Sequence, residues 1–283
     1  MSIVVTAASG HLGRLVVRDL LRRGIAPDVV AGARSLPAVK DLADAGARTV
    51  VLDYDQPDTV EAAVSGGDTL VLISGNDLAN RDRQHTDVIA AARRAGAGHL
   101  VYTSGLRASD SPSPIAASHA ATEDAVRTSG IPFTLLRNGW YTENYQRSLP
   151  AVRTSGVLLS SVGDGRVASA TRQDLAEAVA AVVTSDDDRG QTYELSGDVA
   201  WSYDDLAGAL GEVLGREVVH RSVTPEQHLQ ALTDAGVPEP MALMAVGADA
   251  GIRAGAFAFT NGDLARLLGR PTTPLVEGLR PLA

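Results

Sequence analysis

Six short apolar runs, mostly β-branched, punctuate the first half of the chain: IVVT at 3–6, DVVAGA at 28–33, RTVVLD at 48–53, TLVLIS at 69–74, LVYTS at 100–104 and FTLLRN at 133–138. None alternates polar with apolar. A strand that is apolar on both faces must be covered on both, so these runs belong inside a parallel sheet. Parallel neighbours need crossover connections, and segments with helical spacing separate the runs. In HLGRLVVRDLLRRG, for example, Leu12, Val16, Leu20 and Leu21 make an apolar stripe that Gly24 ends. Residues 1–140 therefore predict a doubly wound α/β domain.

The rhythm changes after about Tyr141. A Gly/Ser-rich stretch, TSGVLLSSVGDGRVAS, leads to the helical pattern TRQDLAEAVAAVVTS and the acidic loop SDDDRG. QTYELSG and REVVHRSV are short strand candidates on either side of the helix SYDDLAGALGEVLG, for which Ser202 is the expected N-cap. TPEQHLQAL and TNGDLARLLG read as helices. Residues 141–283 are thus expected to form a smaller C-terminal α/β part covering a substrate slot, with the chain crossing back to the sheet around 157–196.

Composition removes several classes of function. A formal charge of −9 with no long basic run argues against nucleic acid and anionic membranes as partners. With no cysteine, disulfides, thiolate metal sites and cysteine nucleophiles are excluded. The opening MSIVV has neither the basic start nor the apolar stretch of a signal peptide, and no segment reaches membrane-spanning length. A cytoplasmic protein, monomer or homodimer, is expected.

The most specific local feature is VVTAASGHLGRLVV, residues 4–17, a strand running through a small-residue turn into a helix. Dinucleotide-binding turns need a tight bend, close approach to the pyrophosphate, and close helix-to-strand packing. Gly10 and Gly13 suit the second and third duties. Ala7 stands where the first glycine belongs, and is tolerated without strain only at negative φ. The phosphate itself would sit on amides at the helix N-terminus, which any residue supplies. At the end of the second run, VAGARS offers no acid for a free ribose hydroxyl; Arg34 follows instead, and an arginine grips a 2′-phosphate with two charge-assisted bonds. NADPH is the expected cofactor.

These segments, with DYDQPDTVEAA, LVLISG, RQHTDVIAAARRAG, VYTSGL and above all IPFTLLRNGWYTENY, resemble the NmrA-like atypical short-chain dehydrogenases. Within that group the chain looks most like the bacterial type 2 NADPH:quinone oxidoreductases, with the triphenylmethane reductases as near relatives. VGDGRVASATRQDLAEA, TYELSGDVAWSYDDLA and GRPTTPL extend the likeness along the full length. The resemblance implies a Rossmann-type fold in which Ala7, Ala8, Ser9, Gly10, His11 and Leu12 hold the pyrophosphate and Arg34 lies near the 2′-phosphate. It implies that Ser74, Gly75 and Asn76 pass the nicotinamide-side ribose. It further implies that Asn138, Gly139, Trp140, Tyr141, Thr142 and Glu143 line the nicotinamide and a quinone slot. Ala7 and Ser9 depart from the usual Thr-Gly-Ala-Thr-Gly turn.

Ordinary short-chain dehydrogenases use a Tyr-x-x-x-Lys pair after the fifth strand, the lysine lowering the tyrosine pKa. Here that place reads HAATE, and Glu123 would raise the pKa of a neighbouring acid where lysine would lower it. Direct hydride transfer to a quinone needs less proton chemistry, with His119, Tyr141 or the Asn138 amide as the donor to the carbonyl oxygen. Trp140 also suits simple packing, Ser104 suits a backbone or ribose bond, and Arg172 either faces substrate or pairs with Asp174. No Gly-x-Ser-x-Gly elbow supports an esterase, and no histidine pattern supports a metal site. The Met-containing run VPEPMALMAVGADAG suits a lid or core filling. The rival function, from another class, is an NADP-sensing regulator without turnover; a triphenylmethane-dye-type reductase is the third reading.

Overall fold

The computed structural model describes every residue except 27, 114, 186 and 187, so the middle of the acidic loop SDDDRG lies outside the described residues. In chain order the strands are β1 (Ile3–Val5), β2 (Val29–Ala33), β3 (Arg48–Val51), β4 (Thr69–Leu72), β5 (His99–Gly105), β6 (Phe133–Asn138), β7 (Val157–Ser160), β8 (Arg166–Val167), β9 (Thr192–Leu195), β10 (Trp201–Ser202) and β11 (Val219–Ser222). The α-helices before β7 are α1 (His11–Arg22), α2 (Lys40–Asp44), α3 (Pro57–Ala63), α4 (Arg81–Arg94), α5 (Ala116–Thr128) and α6 (Leu149–Ser155). Those after it are α7 (Arg172–Val183), α8 (Tyr203–Leu214), α9 (Pro225–Asp234), α10 (Glu239–Arg253), α11 (Asp263–Leu268) and α12 (Leu275–Leu279).

Two compact units emerge. The first comprises residues 1–109, 117–138 and 172–193, and the second 110–116, 139–171 and 194–283. In the first, the six runs of the sequence become β1 to β6, each parallel to its neighbours, within a seven-stranded sheet of order β3-β2-β1-β4-β5-β6-β9. The strand run QTYELSG, in the C-terminal part but at the end of the 157–196 stretch expected to cross back to the sheet, supplies the seventh place: Leu135 N–H donates to the Gln191 carbonyl at 3.0 Å. Its apolar Tyr193 and Leu195 are buried, which only a place in the covered sheet satisfies.

Alternation along the strands sends two sets of side chains to opposite faces. Val4, Val30, Leu70, Leu72, Leu100 and Leu135 pack with Val60 of α3, Val88 and Ile89 of α4 and Val126 of α5. On the other face α1 packs against α7. Each such side chain stabilises the sheet by about 2 kcal/mol on burial. The α1 stripe buries Leu12, Gly13, Val16, Val17 and Leu20, and Gly24 ends it at φ +77°.

The second unit has an aromatic core. Tyr145 meets Trp201 edge to face at 5.4 Å between centroids and Tyr203 at 6.1 Å, among Leu158, Val167, Leu206 and Leu210. Its strands form two small ladders, β7 with β11 in parallel and β8 with β10 antiparallel. Ser202 caps α8 as its sequence predicts: its hydroxyl accepts from Asp205 N–H at 3.2 Å while the Asp205 carboxylate accepts from Ser202 N–H at 2.8 Å. Among the described residues no helix is long and apolar enough to cross a membrane.

Candidate functional site

The strand order reverses between β1 and β4, and in open α/β sheets the crevice beyond the carboxyl ends at such a point is where ligands bind. The segments leaving those two ends are Ala7–Leu12 and Ser74–Asn76.

The first is a bend closed on itself. Ala8 N–H donates to the Gly32 carbonyl and Gly10 N–H to the Ala7 carbonyl, both at 2.9 Å. Ala7 takes φ +47°, the left-handed region in which alanine is strained. The reason is spatial: a Cβ on Gly13 would stand 2.5 Å from the Ala7 carbonyl oxygen, so helix and turn are already in closest approach and the bend must be made at Ala7. A left-handed alanine costs about 1 kcal/mol, stored in this turn. Beyond it Ser9, Gly10 and His11 are exposed at the head of α1, whose N-terminus no side chain caps. Bare amides, the positive end of a 12-residue helix, and a glycine cradle that a Cβ at Gly10 would narrow to 3.2 Å from Ala7 oxygen suit a pyrophosphate.

The second segment is held by side chains. The Thr6 hydroxyl accepts from Ile73 N–H at 3.0 Å and bonds the Tyr54 hydroxyl, which donates to the Ile73 carbonyl at 2.6 Å. Ser74 N–H donates to Thr103 Oγ1 at 2.9 Å, Gly75 N–H to His85 Nε2 at 3.1 Å, and Arg81 Nε to the Gly75 carbonyl at 2.9 Å. Ser74 and Gly75 are half-buried and Asn76 is exposed. The composition of RQHTDVIAAARRAG carried the missed signal: His85 falls on the buried stripe with Val88, Ile89 and Ala92, and a polar ring in an apolar stripe needs a partner.

Arg34 is exposed just past β2. The Asp55 carboxyl is held below its ordinary value first by Arg83 and Gln84, with Arg34 adding through space. Asp55 is thus committed to Arg83 at 2.6 Å, and the end of β2 carries positive charge with no acid of its own.

His119 and Glu123, neighbours on one helix face, do different work. His119 is buried, its Nδ1 2.8 Å from the Tyr102 hydroxyl, and its ring lies against Gly105, where a Cβ would meet Cδ2 at 2.9 Å. Burial pushes its pKa down to about 4, aided by Arg81 and opposed by Glu123, so the carboxylate acts in the expected direction and loses to desolvation. Glu123 is clamped by Arg137, with Nε to Oε1 and Nη2 to Oε2 both at 2.7 Å, and accepts from Ser104 Oγ at 2.7 Å. Ser104 therefore bonds a carboxylate, which corrects its expected backbone or ribose role. Glu123, at the place of the lysine in the Tyr-x-x-x-Lys pair, here ties α5 to β5 and β6.

In the second unit Gly139 N–H donates to the Leu195 carbonyl at 2.8 Å, and Trp140 and Thr142 bracket Ala170 with backbone bonds of 3.0 Å each. Tyr141 bridges to Ala170 in parallel, and Thr142 Oγ1 lies 2.9 Å from Ser169 Oγ. Tyr141 and Glu143 are half-buried. Trp140 packs on Phe257 at 4.9 Å, the packing role the sequence allowed it. Asn138, at the end of β6, is buried in the first unit. Met241 and Met244 are 46% and 60% exposed, so they do not fill a core.

One further arrangement follows no sequence motif. Ser160 Oγ lies 2.8 Å from His220 Nε2, and His220 Nδ1 lies 3.0 Å from Asp204 Oδ1, the connectivity of a hydrolase relay. Ser160 is 1% exposed in the β7–β11 ladder, with its carbonyl accepting from Val223 N–H. A closed serine cannot meet a substrate, and the relay serves to join β7, β11 and α8.

Residues 7–186 match the model of a family described as NAD(P)H-binding. The chain is 38% identical to quinone oxidoreductase 2 of Escherichia coli (strain K12), over 99% of this chain and 98% of that one. The solved NADPH complex of an NADPH-dependent quinone oxidoreductase from Escherichia coli superposes with a TM-score of 0.94 at 38% identity, covering 99% of both chains. The Citrobacter sp. triphenylmethane reductase complexed with NADP(H) superposes with a TM-score of 0.95 at 39% identity and full coverage of both chains. The match of a family model to most of the chain and of an oxidoreductase to all of it place this protein in the NAD(P)H-binding family, among the NmrA-like atypical short-chain reductases.

Proposed function

We propose that the protein is an NADPH-dependent reductase that passes hydride directly to a quinone or a similar flat conjugated acceptor. The observation that carries this reading is the pairing of an uncapped glycine turn at the strand-order reversal with Arg34, rather than an acid, at the end of β2. Full-length likeness to a quinone oxidoreductase supplies the acceptor class. In this reading the turn Ala7, Ala8, Ser9, Gly10, His11 and Leu12 holds the pyrophosphate, on amides other than those of Ala8 and Gly10, which bond backbone carbonyls; Arg34 grips the 2′-phosphate, and Ser74, Gly75 and Asn76 pass the nicotinamide-side ribose. Asn138, Gly139, Trp140, Tyr141, Thr142 and Glu143 line the nicotinamide and the acceptor.

Bound NADPH supplies a hydride, two electrons and a proton's mass, to the acceptor ring. Reduction of a quinone then requires one further proton, and the resulting hydroquinone anion spreads its charge through an aromatic ring, so weak donors suffice. His119 and Tyr141 are the donor candidates: in the tautomer that accepts from the Tyr102 hydroxyl at Nδ1, His119 carries its proton on Nε2. Because burial holds the ring neutral, it donates a hydrogen bond to the carbonyl oxygen rather than acting as an imidazolium acid.

NADPH oxidation by the purified protein against a panel of benzoquinones, followed beside NADH, is the deciding measurement. Quinone-dependent consumption above the blank is expected; binding of NADPH without consumption assigns the protein to the NADP-sensing regulators. Arg34→Ala should raise the KM for NADPH far more than for NADH, and equal effects remove it from the 2′-phosphate. Full turnover in His119→Ala or Tyr141→Phe removes that residue as a donor.

A further inference from the structure

We propose that His85 is a positioning residue for cofactor binding, acting through the lone pair on its Nε2, which fixes the Gly75 amide and with it the segment Ser74–Asn76. The inference rests on the NADPH reading for its functional half and on the hydrogen-bond geometry alone for its structural half.

His85 is fully buried in α4, wedged edge-on between Tyr54 at 6.0 Å and Tyr102 at 5.5 Å between ring centroids. Gly75 N–H can only donate, so at 3.1 Å Nε2 must be the unprotonated nitrogen. The proton therefore sits on Nδ1, 3.0 Å from Thr122 Oγ1, and the Thr122 hydroxyl passes its own hydrogen to the Ser118 carbonyl at 3.1 Å. One tautomer satisfies all three bonds, and the other leaves two N–H groups facing each other. Burial, with Arg81 adding, pushes the ring pKa down to about 3, so the acceptor persists across the working range.

Why the fold uses an acceptor here follows from the position of Gly75. The segment leaves the sheet beside the strand-order reversal, where a ligand needs a rigid wall, yet it is irregular backbone without a ladder to hold it. The bonds on Ile73 to Gly75 come from four parts of the chain: Thr6 from the end of β1, Tyr54 from past β3, Thr103 from β5, and His85 and Arg81 from α4. His85 and Arg81 grip the two sides of the same residue, its N–H and its carbonyl. Without the ring nitrogen the Gly75 amide has no acceptor in a half-buried setting, and the segment turns to find water.

The test compares His85→Leu, which keeps bulk and removes the acceptor, with His85→Gln, whose Oε1 stands near the place of Nε2. NADPH dissociation constants by fluorescence titration should rise about tenfold or more for His85→Leu and return to within about threefold of the parent for His85→Gln. At saturating NADPH both variants should keep the parent kcat, because the ring contacts no reacting atom. Nitrogen NMR of the ligand-free parent protein should show a His85 ring protonated on Nδ1 alone. A lowered Tm for His85→Leu with unchanged NADPH affinity would make the ring mere packing and overturn the proposal. So would a His85→Gln variant that binds no better than His85→Leu, or an Nε2-protonated ring in the spectrum. If His85→Leu does not fold, the His85→Gln affinity and the parent spectrum decide. If the parent protein itself fails to bind NADPH, the cofactor reading falls and takes the functional half with it, while the spectrum still judges the clamp.

Discussion

The turn after β1 and the loop after β4 leave the sheet side by side and are built in opposite ways. The turn presents Ser9, Gly10 and His11 at the head of a helix that no side chain caps, and it closes by backbone contact alone. The loop has the backbone of Ile73 to Gly75 held by Thr6, Tyr54, Thr103, His85 and Arg81. A surface that binds phosphate must keep donors unpaired, so the turn is stabilised by shape. A surface that only positions needs no spare donors, so the loop is stabilised by side-chain bonds. The two should therefore fail for different reasons: the turn through added atoms, the loop through lost hydroxyls and ring nitrogens.

The largest effect expected is on the turn. Gly13→Ala puts a Cβ 2.5 Å from the Ala7 carbonyl oxygen, a backbone atom that cannot step aside. It should destabilise the protein by about 3 kcal/mol in denaturant melts and abolish NADPH binding. A variant as stable as the parent would break the contrast. Next comes the loop: Thr6→Val keeps the shape and removes the hydroxyl that meets Ile73 N–H and Tyr54, and should lose about 2 kcal/mol by the same measurement.

Acid should sharpen the comparison further, because the rings behind the loop are neutral. His85 and His119 have folded pKa values of about 3 and about 4 against an ordinary 6.5, so below that ordinary value the unfolded chain binds more protons than the native one. Stability is then fully present above pH 6.5 and declines as pH falls toward 4, by about 1.4 kcal/mol per pH unit for each ring. Tm measured from pH 7 to pH 5 should fall, and the slope should flatten in the double variant His85→Gln, His119→Gln. The smallest effect has the opposite sign. Ala7→Gly relieves the left-handed alanine and should stabilise the turn by about 1 kcal/mol, with NADPH affinity equal or tighter.

These contrasts also mark what the sequence made legible. All six apolar runs became strands, because burial on both faces writes itself into composition. The Ser202 cap and the stop at Gly24 were equally readable, being decided within a few residues. The sign of the Ala7 φ was not, since it depends on how closely α1 approaches the turn, and that approach shows only in three dimensions. Nor were the bonds of Thr6 to Ile73, Ser74 to Thr103 and Arg137 to Glu123, each joining residues far apart in the chain. His119 stands in HAATE, a place with a motif behind it, whereas His85, an equally buried ring, stands in no motif, and the Gly75 amide it accepts from is ten residues away across a loop.

The place of β9 bears on how the molecule is made. The first unit is complete only when residues 172–193 have joined it, long after the six parallel strands have left the ribosome. Until then β6 is an open edge, with Leu135 N–H and the Phe133 carbonyl unpaired where Gln191 and Gly190 will later bond. During synthesis the growing chain thus carries a long, apolar, unpaired strand, the kind of edge that recruits other strands. A chain halted near residue 140 would hold the glycine turn and Arg34 yet leave β6 open, and closing that edge is the service of β9, the last strand of this sheet to be made.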